Sequence, residues 1–405
     1  MANAALPFLN GALPPSKRLS RHLPAPMAEK LTNLENLLAA AGPEAFGHFT
    51  QAVTRESLAR HHRFLAGITA YRRHPYVRDL PSPPVLWRDG TSRLLDYRTG
   101  ADGAPMNNPA DGAPVLAIPS LVNRAYVLDL TPKRSLMRGL AGRGVAPFLL
   151  DWDAPGEAER RFTLSDYMTR RLEPALEKVA ALTGRRPVLL GYCMGGLLAA
   201  ALAQRRPDLT AGLALLATPW DFVAAMDGRK FETATAERLV AGAEQLGEMP
   251  ADWLNALFMT IDPTLSARKF SGFADLTPAV ARDFVALEDW VNDSVPLATP
   301  VARECLLGWY GANSPAKGAW RIAGRTVDPE RIETPTLAVI PWRDRIVPPD
   351  SALPLAAAIP GATVWRAAGG HVGMLLRPRA GTELYTPLAK WIKTTTGAGR
   401  RGGKA

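Results

Sequence analysis

From residue 85 onward, short apolar runs alternate with longer stretches of helical period. Runs at 93–97, 114–118, 146–150, 187–190 and 211–217 read as strands, bounded by Gly, Pro and Asp. The stretches 126–142, 164–182 and 195–204 read as the helices between them. Such βαβα alternation implies a mostly parallel sheet with helices on both faces. From 219 to about 328 the alternation stops, and the chain is helix-rich with many aromatics and prolines. Strand patterns resume at 335–340 and 362–365. A domain that is interrupted and then resumed predicts an α/β core over 85–218 and 329–395 with a helical cap inserted at 219–328. Upstream, Leu31, Leu34, Leu37, Leu38 and Ala41 keep helical spacing, so helices are expected over about 27–41 and 43–70. They belong to an extension, 1–84, that starts with a Pro-rich arm and packs its helices on the outside of the main domain.

Composition changes this picture little. The chain has 405 residues, 47% hydrophobic and 21% charged, which excludes a wholly disordered or fibrous protein. No apolar run approaches the 18 or so residues of a membrane span, and no secretory signal is read at the N-terminus. The net charge of +10 divides unevenly: +5 over 1–75, +4 over 391–405 and +1 between them. Basicity confined to the ends of a neutral domain, without a basic-aromatic motif, argues against a nucleic-acid partner. It suits an anionic surface or partner instead. The tail from 396 is a basic, flexible Gly/Arg segment. Cys193 and Cys305 are too few for a disulfide framework, and no zinc-like cluster is present, so a reducing, cytoplasmic setting is expected with no metal or cofactor.

The sharpest chemical signal is Gly191-Tyr192-Cys193-Met194-Gly195-Gly196, between the apolar run 188–190 and a helical stretch. This is the strand–turn–helix setting of a nucleophile elbow with Cys as nucleophile. Glycines are needed where the strained turn presses on the neighbouring strand and helix. The helix N-terminus favours a thiolate and an oxyanion, with the Met194 N–H as one donor. In this architecture the base follows the nucleophile in the chain. Of six histidines only His371 lies beyond residue 193, in Gly369-Gly370-His371-Val372-Gly373. The acid should leave a strand between the two, which points to Asp344, with Asp350 as the near alternative at the start of the next helix. The loop after 115–118 offers a second oxyanion N–H at Val122. Cys305 reads as structural.

These residues together resemble the polyhydroxyalkanoate synthases, acyltransferases of the α/β-hydrolase superfamily. The elbow is shared with dienelactone hydrolases, and five further stretches carry the likeness. They are Pro119-Ser120-Leu121-Val122-Asn123-Arg124-Ala125-Tyr126-Val127-Leu128-Asp129-Leu130; Asp151-Trp152 with Thr163-Leu164-Ser165-Asp166-Tyr167; Thr218-Pro219-Trp220-Asp221-Phe222; the motifs from Trp290 to Asp293, Trp309 to Asn313 and Ile322 to Asp328; and Asp344 with Gly369 to Gly373. The likeness covers about 85–395 and is closest to the short type that works with a second subunit. It implies an α/β-hydrolase fold with a cap, a Cys193–His371–Asp344 triad, and Tyr126 and Asp129 as wall residues. Asn123 and Tyr192, beside the oxyanion loop and the nucleophile, join them as candidate substrate contacts. The implied substrates are a 3-hydroxyacyl-CoA and a growing polyester chain. The implied partners are a second synthase subunit or a homodimer, and a polymer granule surface. The chain departs from the family at Ala125, where an aromatic is usual, at Arg345, where His is common, and in the length of 1–84. A Cys esterase, thioesterase or depolymerase on the same scaffold is the alternative, and a non-catalytic granule protein is a third.

Overall fold

A computed structural model describes residues 25–98, 112–226 and 231–397. The arm 1–24 and the tail from 398 lie outside the described residues. The chain divides into two compact units, one containing 25–76 and 262–285, the other 77–261 and 286–397.

The larger unit is built on an eight-stranded sheet. Its strands are β1 (Val85–Asp89), β2 (Ser92–Asp96), β3 (Ala113–Ile118), β4 (Val145–Asp151), β5 (Val188–Tyr192), β6 (Gly212–Leu216), β7 (Thr336–Pro341) and β8 (Thr363–Ala367). Their spatial order is β1-β2-β4-β3-β5-β6-β7-β8. The β1–β2 and β2–β4 pairs are antiparallel, and every other pair is parallel. Strands β3, β5, β6 and β7 are buried at every position. That explains their unbroken apolar runs, since helices cover both faces of a parallel sheet. The edge strand β8 is mostly exposed. The β1 strand, with the tight turn into β2, carries too few apolar residues to stand out in the sequence.

Two helices expected from periodicity are divided. Instead of one helix over 126–142 there is a 3-10 turn (Ala125–Leu128), a short strand pair (Asp129–Thr131 with Arg134–Ser135) and the helix α3 (Leu136–Ala141). Thr131 precedes Pro132, and that position disfavours helical backbone. Ser135 then starts α3 by accepting the Arg138 N–H at 3.0 Å. Within 164–182, a wide π turn (Met168–Leu172) precedes α4 (Glu173–Thr183). The helix α5 (Met194–Arg205) is buried from Met194 to Ala203, as its Ala/Leu-rich sequence requires. Between β6 and β7 come the helices α6 (Thr233–Leu246), α7 (Ala251–Met259), α8 (Leu265–Ser271) and α9 (Pro278–Asn292), then a π turn (Glu304–Gly311). The last two helices are α10 (Pro349–Ala358) and α11 (Thr386–Thr395).

In the smaller unit, α1 (Ala25–Ala41) and α2 (Pro43–Arg72) form two helices close to their predicted bounds. The α2 helix packs against α8 through aromatics. Phe270 meets Phe64, Tyr71 and Phe284 edge to face, with ring centroids 5.4–6.4 Å apart. No helix among the described residues is long and apolar enough to cross a membrane.

Candidate active site

Cys193 occupies the turn between β5 and α5 with φ 55° and ψ −128°, a region that side chains rarely adopt. Its N–H donates to the Leu216 carbonyl at 2.9 Å, and its carbonyl accepts from Gly196 N–H at 2.9 Å, so the strain is held from both sides. The flanking glycines are obligatory. A Cβ on Gly191 would lie 2.4 Å from the Gly196 Cα. On Gly195 it would lie 2.1 Å from the Ile118 carbonyl oxygen, and on Gly196 1.8 Å from the Thr218 hydroxyl. The Gly195 contact also brings the loop after β3 against the elbow, so the two predicted oxyanion donors come from adjoining segments.

His371 follows β8. Gly369, at φ 98°, makes the turn before it, and a Cβ there would sit 3.1 Å from the Met374 backbone nitrogen. Asp344 follows β7. The His371 Nδ1 lies 2.7 Å from the Asp344 Oδ2, and both residues are buried. The other Asp344 oxygen accepts the backbone N–H groups of Ile346 (2.8 Å) and Val347 (2.9 Å), which fixes the carboxylate that orients the imidazole. Burial alone would lower the His371 pKa. The Cys193 charge outweighs it, together with hydrogen bonds to Asp344 and Cys193, and raises the group to about 10. The ring is therefore built to hold a proton beside the Cys193 sulfur. Cys193 is half-buried while His371 and Asp344 are buried, so the sulfur belongs to the accessible member of the trio. The alternative acid, Asp350, is exposed in the first turn of α10.

Tyr192 is buried. Its ring lies 5.2 Å from the His371 ring, and its hydroxyl donates to the His371 carbonyl at 3.4 Å. These contacts make it a support under His371. Asp129 is fully buried in a framework. It accepts from Arg138 Nε (2.8 Å) and from the Tyr97 hydroxyl (3.1 Å), and Arg78 lies 3.5 Å away. With its carboxylate committed and no exposed surface, Asp129 is not a wall residue in this state. Charge balance at this buried pair, rather than substrate contact, accounts for an acid at this position.

The oxyanion loop has a further layer. The Val122 N–H donates to the Ser120 hydroxyl at 3.1 Å, so this donor is already engaged. Trp152 Nε1 holds the loop through the Pro119 carbonyl at 3.1 Å. Beyond it, Asn123 forms a β-bridge to Ser294, and the Trp290 indole donates to the Arg124 carbonyl at 2.8 Å. Asp293 accepts from Arg124 Nε (3.2 Å) and from the Tyr126 hydroxyl (3.1 Å). Asn123 and Tyr126, two candidate contacts, thus join the loop to the segment 290–294.

Sequence reasoning passed over Tyr310 as a site residue. It lies on the π turn, packs against Phe222 at 4.8 Å, and is pushed up by burial and then by the charge of Cys193 and of Cys305. Its phenol therefore stays protonated in the field of the nucleophile. A π turn often marks a functional site, but it leaves no simple sequence period. Cys305 on the same turn is buried, its thiol pushed well up by burial and by Glu304, which fits the structural reading.

Residues 114–378 match the family model of the α/β hydrolase fold. The poly(3-hydroxyalkanoate) polymerase subunit PhaC of Synechocystis sp. is 30% identical over 291 residues, 69% of this chain and 77% of that protein. Its counterpart in Allochromatium vinosum is 29% identical over 307 residues, 74% of this chain and 85% of that one. The Haloferax mediterranei counterpart is 28% identical over 319 residues, and the chain spans 63% of its length. Among solved structures, a hydrolase from Pseudomonas aeruginosa superposes with a TM-score of 0.46 at 20% identity, over 78% of this chain and 98% of that one.

Proposed function

Because the chain belongs to the poly(3-hydroxyalkanoate) polymerase family on the α/β hydrolase fold, we propose that it is an acyltransferase that polymerises 3-hydroxyacyl-CoA through a Cys193 thioester. The observation that carries this reading is a cysteine on a strained elbow beside a His371–Asp344 pair.

His371 takes the Cys193 proton, and the thiolate attacks the thioester carbonyl carbon. The carbonyl oxygen becomes an oxyanion, met by the N–H groups of Met194 and Val122. Val122 reaches it once the Ser120 hydroxyl turns away. Collapse breaks the bond to the coenzyme sulfur, which leaves with the proton from His371. The acyl group now rests on Cys193. A 3-hydroxyl of the next unit or of the chain end gives its proton to His371 as its oxygen attacks. The new ester forms, and Cys193 is released. Tyr310, protonated within the electrostatic reach of the sulfur, is a candidate to steady its charge. We take the part of 219–328 that belongs to the larger unit as a cap that limits water, which favours transfer over hydrolysis. The acyl-CoA thioester is the substrate, coenzyme A is the product of the first half, and no further cofactor enters these steps. The word subunit in the relatives' names supports a second subunit as partner; a homodimer, a cytoplasmic setting and a polymer granule surface belong to the same proposal.

Incubating the purified protein with 3-hydroxybutyryl-CoA tests this. Release of CoA together with insoluble polymer is the expected result. Release with free acid alone would shift the reading to a thioesterase, and activity unchanged in Cys193→Ala would remove the triad.

A further inference from the structure

We propose that Trp342 and Arg366, with Arg343, form a platform that binds the adenine nucleotide end of coenzyme A. This rests on the proposed reaction in one respect: coenzyme A is the leaving group.

The position comes from the sheet. Trp342 directly follows β7, and its N–H donates to the Ala367 carbonyl at 3.2 Å, so the β7–β8 pairing runs on into this residue. Asp344 is two residues further, at most about 7 Å of chain. Ligands of open α/β sheets bind beyond the carboxyl ends of the strands, which is where Trp342 lies. The loop is also next to the base, since a Cβ built on Gly370 would lie 3.3 Å from the Arg343 carbonyl oxygen.

The chemistry comes from the side chains. Trp342 is 42% exposed, a large aromatic left at the surface. The Arg366 guanidinium lies 3.9 Å from the centre of its ring. An arginine stacked on an exposed indole is a flat, cationic surface. Adenine stacks on such a surface, and the phosphates of the nucleotide seek guanidinium forks. Arg343 is exposed between this stack and the triad acid, where it can meet a phosphate on the way to the thioester. The surrounding stretch 76–390 carries a net charge of only +1, so the cluster is local.

The competing role is purely structural, a stack that shields the edge strand β8. Two thioesters separate the roles: 3-hydroxybutyryl-CoA, and the pantetheine thioester of the same acid, which lacks the nucleotide. In Trp342→Ala and Arg366→Gln the KM for the CoA substrate should rise about tenfold or more, and the KM for the pantetheine substrate should hold. A rise on both substrates, or on neither, overturns the platform. Calorimetry of CoA binding gives a reading that needs no turnover. Weaker binding to either folded variant than to the parent supports the proposal, whereas equal binding, or none to the parent, overturns it. A parent that binds CoA through the platform and yet turns over neither thioester sinks the proposed reaction and leaves the platform standing.

Discussion

At the residue scale, the site is a set of positions with no spare volume around one accessible sulfur. Gly196→Ala should therefore be destabilising. Its Cβ would meet the Thr218 hydroxyl at 1.8 Å, and overpacking of a tight core costs about 1–3 kcal/mol. Urea denaturation would show it, and a midpoint equal to that of the parent would contradict the packing. His371 supplies a pH signature. Its folded pKa, about 10, lies above the ordinary value of 6.5. The proton-bound form is thus favoured by folding. The resulting stability is fully present below pH 6.5 and is lost as pH rises towards 10. Cys193→Ala removes the charge that does most to raise the group, so the fall in stability across that window should shrink. Histidine NMR of the two proteins reads the same change as a lower midpoint for His371. That Cys193, His371 and Asp344 come together was legible because glycine spacing and chain order restrict the choices. Asp129 was assigned to the substrate on the family likeness and Tyr192 on its place beside Cys193, whereas the ion pair of Asp129 with Arg138 and the contact of Tyr192 with the distant His371 carbonyl are visible only in the fold.

At the element scale, the buried strands were readable and the broken helices were not. A parallel strand covered on both faces announces itself as an apolar run, as in 188–192. A π turn or a 3-10 turn keeps the composition of a helix while changing its hydrogen bonds, so the interruption at Met168–Leu172 had no signature. Asn313, with φ 55°, lies two residues beyond the π turn that carries Tyr310. The Asn313 side chain accepts the Phe222 N–H at 2.9 Å and donates to Asp221 at 3.0 Å. It joins this turn to the segment after β6. Asn313→Ala leaves the buried Phe222 donor unpaired, at a cost of about 1–3 kcal/mol. Chemical denaturation checks that loss. A stability unchanged within about 0.5 kcal/mol would mean that the bond is dispensable.

At the scale of the whole molecule, each unit has its own vulnerable contact. In the smaller unit a Cβ on Gly67 would lie 1.8 Å from the Phe270 carbonyl oxygen, so Gly67→Ala should push α2 and α8 apart. Faster proteolytic cutting within 25–76 is the expected sign, and an unchanged cutting pattern would count against it. The charge at the ends is a separate matter. Removing 1–24 and 398–405 should leave turnover of soluble thioester in place and reduce partition to polymer or anionic lipid. Partition that survives the deletion would reduce the basic ends to a solubility feature. The order of the sheet has one more consequence, for a protein being made. Cys193 directly follows β5, and His371 follows β8, the outermost strand. At common rates of synthesis His371 leaves the ribosome roughly ten to thirty seconds after Cys193. On the proposed mechanism, the nascent chain carries the thiol without the histidine that would activate it until the last strand docks on the open edge of the sheet.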